Sequence, residues 1–90
     1  MIEAELEIVN RLGLHARAAA KLVHTASGFD SEITLARDGE EVDAKSILGI
    51  LTLGAEKGQT LQLRADGDDA AAAVEALVEL IQDNFGEDQD

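Results

Sequence analysis

The sequence predicts a two-layer α+β fold, a four-stranded sheet with helices covering one side. Three observations carry this. Four short stretches alternate apolar and polar residues with a period of two, as strands with one buried face do. Three other stretches repeat their apolar residues at helical spacing. The order along the chain is β-α-β-β-α-β-α, and elements with a single apolar face or stripe must cover one another, which gives two layers.

The first strand alternates Ile2, Ala4, Leu6 and Ile8 with Glu3, Glu5 and Glu7, so a glutamate face meets water. Asn10 to Gly13 is the loop. From Ala16 the period changes: Ala18, Ala19, Leu22, Val23 and Ala26 share one helical face, and Gly28 is a suitable stop. The many alanines favour helix and let it lie close to a sheet. Glu32 to Arg37 alternates again. Asp38-Gly39 is a tight-turn signal, so Glu40 to Ala44 returns as a second, shorter strand, with Val42 as its apolar residue at a sheet edge.

Ser46 is a good N-cap ahead of Ile47, Leu48, Ile50 and Leu51, whose side chains cover much of the circumference of a short helix. That reads as a helix of low exposure, ending near Gly54. Lys57-Gly58 is a turn. Thr60 to Asp66 sets Leu61, Leu63 and Ala65 against Gln62 and Arg64, a fourth strand. Gly67-Asp68-Asp69 is a turn and cap. Ala70, Ala73, Val74, Leu77, Val78 and Ile81 then recur at helical spacing, opposite Glu75 and Glu79. Gly86 ends this helix, and residues 86–90 are expected to be a frayed acidic tail.

Ninety residues form one expected domain, residues 1–90, with a modest core. Phe29 and Phe85 are the only aromatic residues, so that core is aliphatic. The absence of cysteine excludes disulfides and thiolate chemistry. No apolar run is long enough to span a bilayer, and the N-terminus does not read as a signal peptide, so a cytoplasmic location is expected. No exposed heptad or large apolar edge is evident, so a monomer is expected. The net charge of −12 argues against nucleic acid and against anionic membrane surfaces. It is unevenly spread. Residues 1–27 balance Arg11, Arg17 and Lys21 against three glutamates, whereas residues 66–90 hold nine acids and no Lys or Arg. The acids lack the ligand spacing of a calcium loop, and His24 is too far along its helix to pair with His15 on a metal. Neither a metal nor a cofactor is expected.

The chemistry concentrates in Asn10 to Ala20, where a strand ends and a helix begins. His15 falls at the junction, with Arg17 two residues on. A helix start leaves its first N–H groups unpaired and carries partial positive charge, which makes it an anion site. The same field disfavours a protonated imidazole and so favours the nucleophilic form of His15. A neutral imidazole nitrogen, the N–H groups of Ala16, Arg17 and Ala18, and a guanidinium fork together suit a phosphoryl group. Ser46, as an N-cap, is a second place where a phosphate would sit well.

Gly13-Leu14-His15-Ala16-Arg17 resembles the active-site signature of the HPr family, the histidine-containing phosphocarriers of the bacterial phosphoenolpyruvate-dependent phosphotransferase system. Lys45-Ser46-Ile47-Leu48-Gly49 resembles that family's second signature, around its regulatory serine. The resemblance covers roughly residues 2–85. It implies an open-faced β-sandwich, an antiparallel sheet of order 1-4-2-3 with three helices on one face. It also implies a carrier rather than an enzyme. His15 would take a phosphoryl group on Nδ1 from phosphorylated enzyme I and pass it to an enzyme IIA component, with Arg17 neutralising its charge. Ala20, Lys21, Lys45, Ile47, Leu48 and Leu51 would dock partners. Ser46 would be phosphorylated by a serine kinase/phosphorylase where the organism has one, and transcription regulators are further partners in some relatives. Ala18 departs from the family, which usually has proline there. Gly28-Phe29-Asp30 and the acidic C-terminus resemble the nitrogen-type branch, the Ser46 segment the sugar-transport branch. Two competing readings are a regulatory module of the same fold switched at Ser46, and an unrelated sandwich that binds a small metabolite.

Overall fold

The alternation in the sequence becomes pleat in the computed structural model, which describes residues 1–87. The strands are β1 (Ile2–Glu7), β2 (Glu32–Arg37), β3 (Glu40–Asp43) and β4 (Thr60–Asp66); the helices are α1 (Ala16–Ser27), α2 (Ile47–Leu53) and α3 (Ala70–Gln82). β4 lies between β1 and β2, and β3 forms an edge, giving one antiparallel sheet in the order β1-β4-β2-β3. That is the order implied by the family resemblance. Asp38 and Gly39, at φ 52° and 84°, turn β2 into β3 with the left-handed geometry that suits the twist of a hairpin.

Register puts Leu6 opposite Leu61, and Leu35 opposite Leu63, so the apolar sides of the three longer strands form one floor. Leu61, Leu63, Ile33 and Leu35 are buried beneath the helices, with Leu22 of α1, Ile50 and Leu53 of α2, and Leu77 and Ile81 of α3. The other face is open and charged. There Arg64 of β4 meets Glu3 of β1 at 3.6 Å and Glu41 of β3 at 3.4 Å. Such exposed pairs add little stability; the buried aliphatic layer holds the two layers together.

Four expectations need correction. α2 is not a helix of low exposure: Ile50 and Leu53 are buried, but Leu48 is 73% exposed, and Ile47 and Leu51 are also exposed. A seven-residue helix at the side of the layer has only one face against the body, so its remaining apolar residues meet water. α3 ends at Gln82 rather than at Gly86. A single 3₁₀ turn, Asn84–Gly86, follows, because Phe85 is drawn fully into the core. Gly86 and Glu87 are consequently held rather than frayed; the rest of the expected tail, residues 88–90, lies outside the described residues. Finally, Asp69 precedes α3 without capping it through its side chain.

The Asp69 carboxylate instead clasps the start of β2. It accepts the N–H of Asp30 at 2.8 Å, the N–H of Ser31 at 3.0 Å and the Ser31 hydroxyl. The Ser31 hydroxyl first, and the Asp30 N–H next, hold this carboxyl below its ordinary value of 3.8. A carboxyl that binds its proton less tightly when folded contributes stability above its unfolded pKa, and that contribution is lost as pH falls through the lower folded pKa. Asp69→Asn is therefore expected to lower the urea midpoint at pH 7. The two proteins should converge in stability as the pH drops through the acid range, measured by urea unfolding at stepped pH.

Candidate functional site

The site is built outward from Gly13. Its backbone is left-handed, with φ +65°, and a Cβ there would lie 2.6 Å from the carbonyl oxygen of Ala55. Only glycine allows this approach. Leu14 N–H donates to the same carbonyl at 2.9 Å, and the Leu14 side chain is buried. The chain is thus pinned to the segment that follows α2 one residue before His15. His15 itself is extended, at φ −74° and ψ 176°, and α1 begins at Ala16.

His15 is the N-cap of α1. Its Nδ1 accepts the Arg17 N–H at 3.3 Å, and its carbonyl accepts the Ala19 N–H at 2.8 Å. Among the described residues the N–H groups of Ala16 and Ala18 have no acceptor, as expected for a first helical turn. Since Nδ1 accepts, the proton of the neutral ring belongs on Nε2. Nε2 faces the carboxylate of Glu87, to which it donates. The second oxygen of that carboxylate, Oε1, accepts from Asn10 Nδ2 at 3.2 Å. Asn10 is fully buried, and its amide also donates to the Gly13 carbonyl at 2.8 Å. Burial alone pushes the Glu87 carboxyl up, but the hydrogen bonds from His15 and Asn10 and the electrostatic attraction of His15 and Lys21 more than offset this, leaving it below its ordinary range.

An open cleft of about 680 Å³ surrounds the ring, lined by Arg11, Leu12, His15, Ala16, Arg17, Lys21, Gly86 and Glu87. Three cations thus face one carboxylate on a chain of net charge −12. Arg17 is exposed, and among the described residues its guanidinium has no ion-pair partner. The basic island read from the sequence is therefore gathered in space around the histidine. Sequence reasoning missed Asn10 and Glu87.

The remaining residues singled out in the sequence fall into two groups. Ala20 is exposed on α1, and Ile47, Leu48 and Leu51 are exposed on α2, which packs against α1. Leu12, 61% exposed, lines the cleft around His15 and was not anticipated. The two lysines are tied inward: Lys21 Nζ donates to the Phe85 carbonyl at 2.6 Å, and Lys45 Nζ to the Phe29 carbonyl at 2.7 Å. Ser46 caps α2 as expected, its hydroxyl oxygen accepting the Gly49 N–H at 3.1 Å. His24 is exposed on α1. No group of three or more metal-ligating side chains occurs among the described residues, and none of their helices is long and apolar enough to cross a membrane.

Residues 2–83 match the family model described as the PTS HPr component phosphorylation site. The chain belongs to the HPr family. Phosphocarrier protein HPr of Xylella fastidiosa is 51% identical over 88 residues, spanning 98% of this chain and 99% of its own. Phosphocarrier protein NPr of Shewanella violacea is 44% identical over 86 residues, spanning 96% and 94%. Among solved structures, HPr-C-His from Thermoanaerobacter tengcongensis has the same fold with a TM-score of 0.96 at 49% identity, covering 99% of this chain and 100% of the other. The HPr fold thus accounts for the whole architecture described above.

Gly13→Ala should be costly, because the new Cβ meets a backbone carbonyl and the left-handed conformation is strained. A loss of about 1–3 kcal/mol is expected, read from denaturant midpoints. Ala18→Pro should be neutral or slightly stabilising, since proline is accepted in a first helical turn.

Proposed function

We propose that this chain is a phosphoryl carrier of the phosphotransferase system and that Nδ1 of His15 is the atom that carries the group. The observation that supports this reading best is the capping geometry of α1: the Nδ1 lone pair is aimed at the Arg17 N–H of a helix start whose Ala16 and Ala18 N–H groups have no acceptor among the described residues. A phosphoryl group bonded to Nδ1 lies where those donors point, so Ala16, Arg17 and Ala18 N–H groups bind its oxygens. The exposed Arg17 guanidinium neutralises its charge. The site is an open cleft rather than an enclosed pocket, which suits a group received from one protein surface and handed to another.

The donor is phosphorylated enzyme I and the acceptor an enzyme IIA component. Ala20 and the exposed Leu12, Ile47, Leu48 and Leu51 provide the apolar part of the docking surface, and Arg11 and Arg17 its charged part. Lys21 and Lys45 hold the surrounding backbone as well as supplying charge. Ser46 is the regulatory position: a phosphate there would sit at the start of α2, beside the exposed Ile47 and Leu48, and add up to two negative charges to the docking face. Similarity to both HPr and NPr proteins supports the shared carrier chemistry, whichever output it serves.

Intact-mass analysis after incubation with enzyme I, magnesium and phosphoenolpyruvate tests the reading. One acid-labile phosphate is expected on the native chain and none on His15→Ala. A native chain that gains none from its own organism's enzyme I would overturn the proposal.

A further inference from the structure

We infer that Glu87 is a positioning residue for phosphoryl transfer at His15, holding the ring proton on Nε2 and balancing the charge that the ring gains when Nδ1 is phosphorylated. The inference rests on His15 being the acceptor. Both carboxylate oxygens are committed: one accepts from His15 Nε2, the other from the buried amide of Asn10. Asn10 is in turn fixed to the Gly13 carbonyl. Asn10, Glu87 and His15 therefore form one hydrogen-bonded line that ends at the ring nitrogen opposite the nucleophile.

The backbone that delivers Glu87 is unusual. Asn84, Phe85 and Gly86 are all left-handed, at φ 57°, 56° and 72°. Two of these are not glycine, so the conformation is disfavoured locally and must be held by its surroundings. Burial of Phe85 and the Lys21 bond to its carbonyl hold it.

The role follows from the electron balance. The Nδ1 lone pair forms the new P–N bond while the bond from phosphorus to the donor breaks, its electron pair leaving with the donor. No proton leaves Nε2, so the ring acquires a positive charge. Handing the group on reverses these changes. Of the charged groups lining the cleft, Arg11, Arg17 and Lys21 are cations and oppose a positive ring; Glu87 is the carboxylate that favours it. Fixing the proton on Nε2 also prevents the tautomer in which Nδ1 is protonated and cannot attack.

The test compares the native chain with Glu87→Gln, which keeps an acceptor but not the charge, and Glu87→Ala, which keeps neither. ¹⁵N NMR of the ring is expected to show the Nε2–H tautomer in the native chain and in Glu87→Gln, and a mixture in Glu87→Ala. Phosphorylation by enzyme I should be about tenfold slower in Glu87→Ala, the scale of one lost hydrogen bond to a charged group, and intermediate in Glu87→Gln. The pH profile of phosphohistidine hydrolysis should move to lower pH in both variants. An unchanged tautomer, rate and profile in Glu87→Ala, with the native chain phosphorylated normally, would overturn the role of Glu87 alone. A native chain that is never phosphorylated would overturn both this role and the carrier reading.

Discussion

Helix α1 starts on an imidazole. The usual side chains at this position are Ser, Thr, Asp and Asn, whose short oxygens reach the second or third helical N–H well. His15 makes the same kind of contact through Nδ1, at a long 3.3 Å. The nitrogen that caps the helix is thus the one whose lone pair faces the N–H donors of the first turn. In the proposed function, cap and nucleophile are the same atom. An oxygen cap would satisfy the helix better, so the weak imidazole cap keeps the helix start open to an anion. Much of the surrounding structure serves to hold that junction: the left-handed Gly13, the Leu14 bond to Ala55, and the sheet order that brings the end of β1 beside the start of β4.

The ring has two nitrogens, and two segments far apart in the sequence meet across it. Nδ1 belongs to the helix start; Nε2 belongs to Glu87, 72 residues further on. The link is mechanical as well as electrostatic. Lys21 projects from α1 to the Phe85 carbonyl, and Phe85 fills the core below. Orientation of the imidazole is consequently set by packing as well as by the loop that carries it. A histidine on a free loop would sample both tautomers and several rotamers, and each would have to be abandoned at the moment of transfer.

Most of the architecture was legible because it is periodic. Strands β1, β2 and β4 and helix α1 follow the pattern of apolar residues closely, and the Asp38-Gly39 turn was marked by its residue types. The place of His15 and Arg17 at a helix start was legible because they fall where one period gives way to another. The order of the sheet was not, since alternation says which face of a strand is buried but not which neighbour it has; it came from the family signatures. α2 misled for a related reason: apolar residues all round a short helix read as burial, yet Leu48 and Leu51 face solvent. Glu87 was missed because a 3₁₀ turn of three left-handed residues has no period and the acids around it read as solvated. The available signal was Phe85, since a lone aromatic residue near an acidic end is an anchor.

The most direct measurement is ³¹P–¹⁵N correlation NMR on the phosphorylated chain with ¹⁵N-labelled histidine. The proposed function predicts phosphorus bonded to Nδ1 of His15, with the proton still on Nε2. Phosphorus on Nε2, or on His24, would contradict the assignment of the helix cap as the acceptor atom.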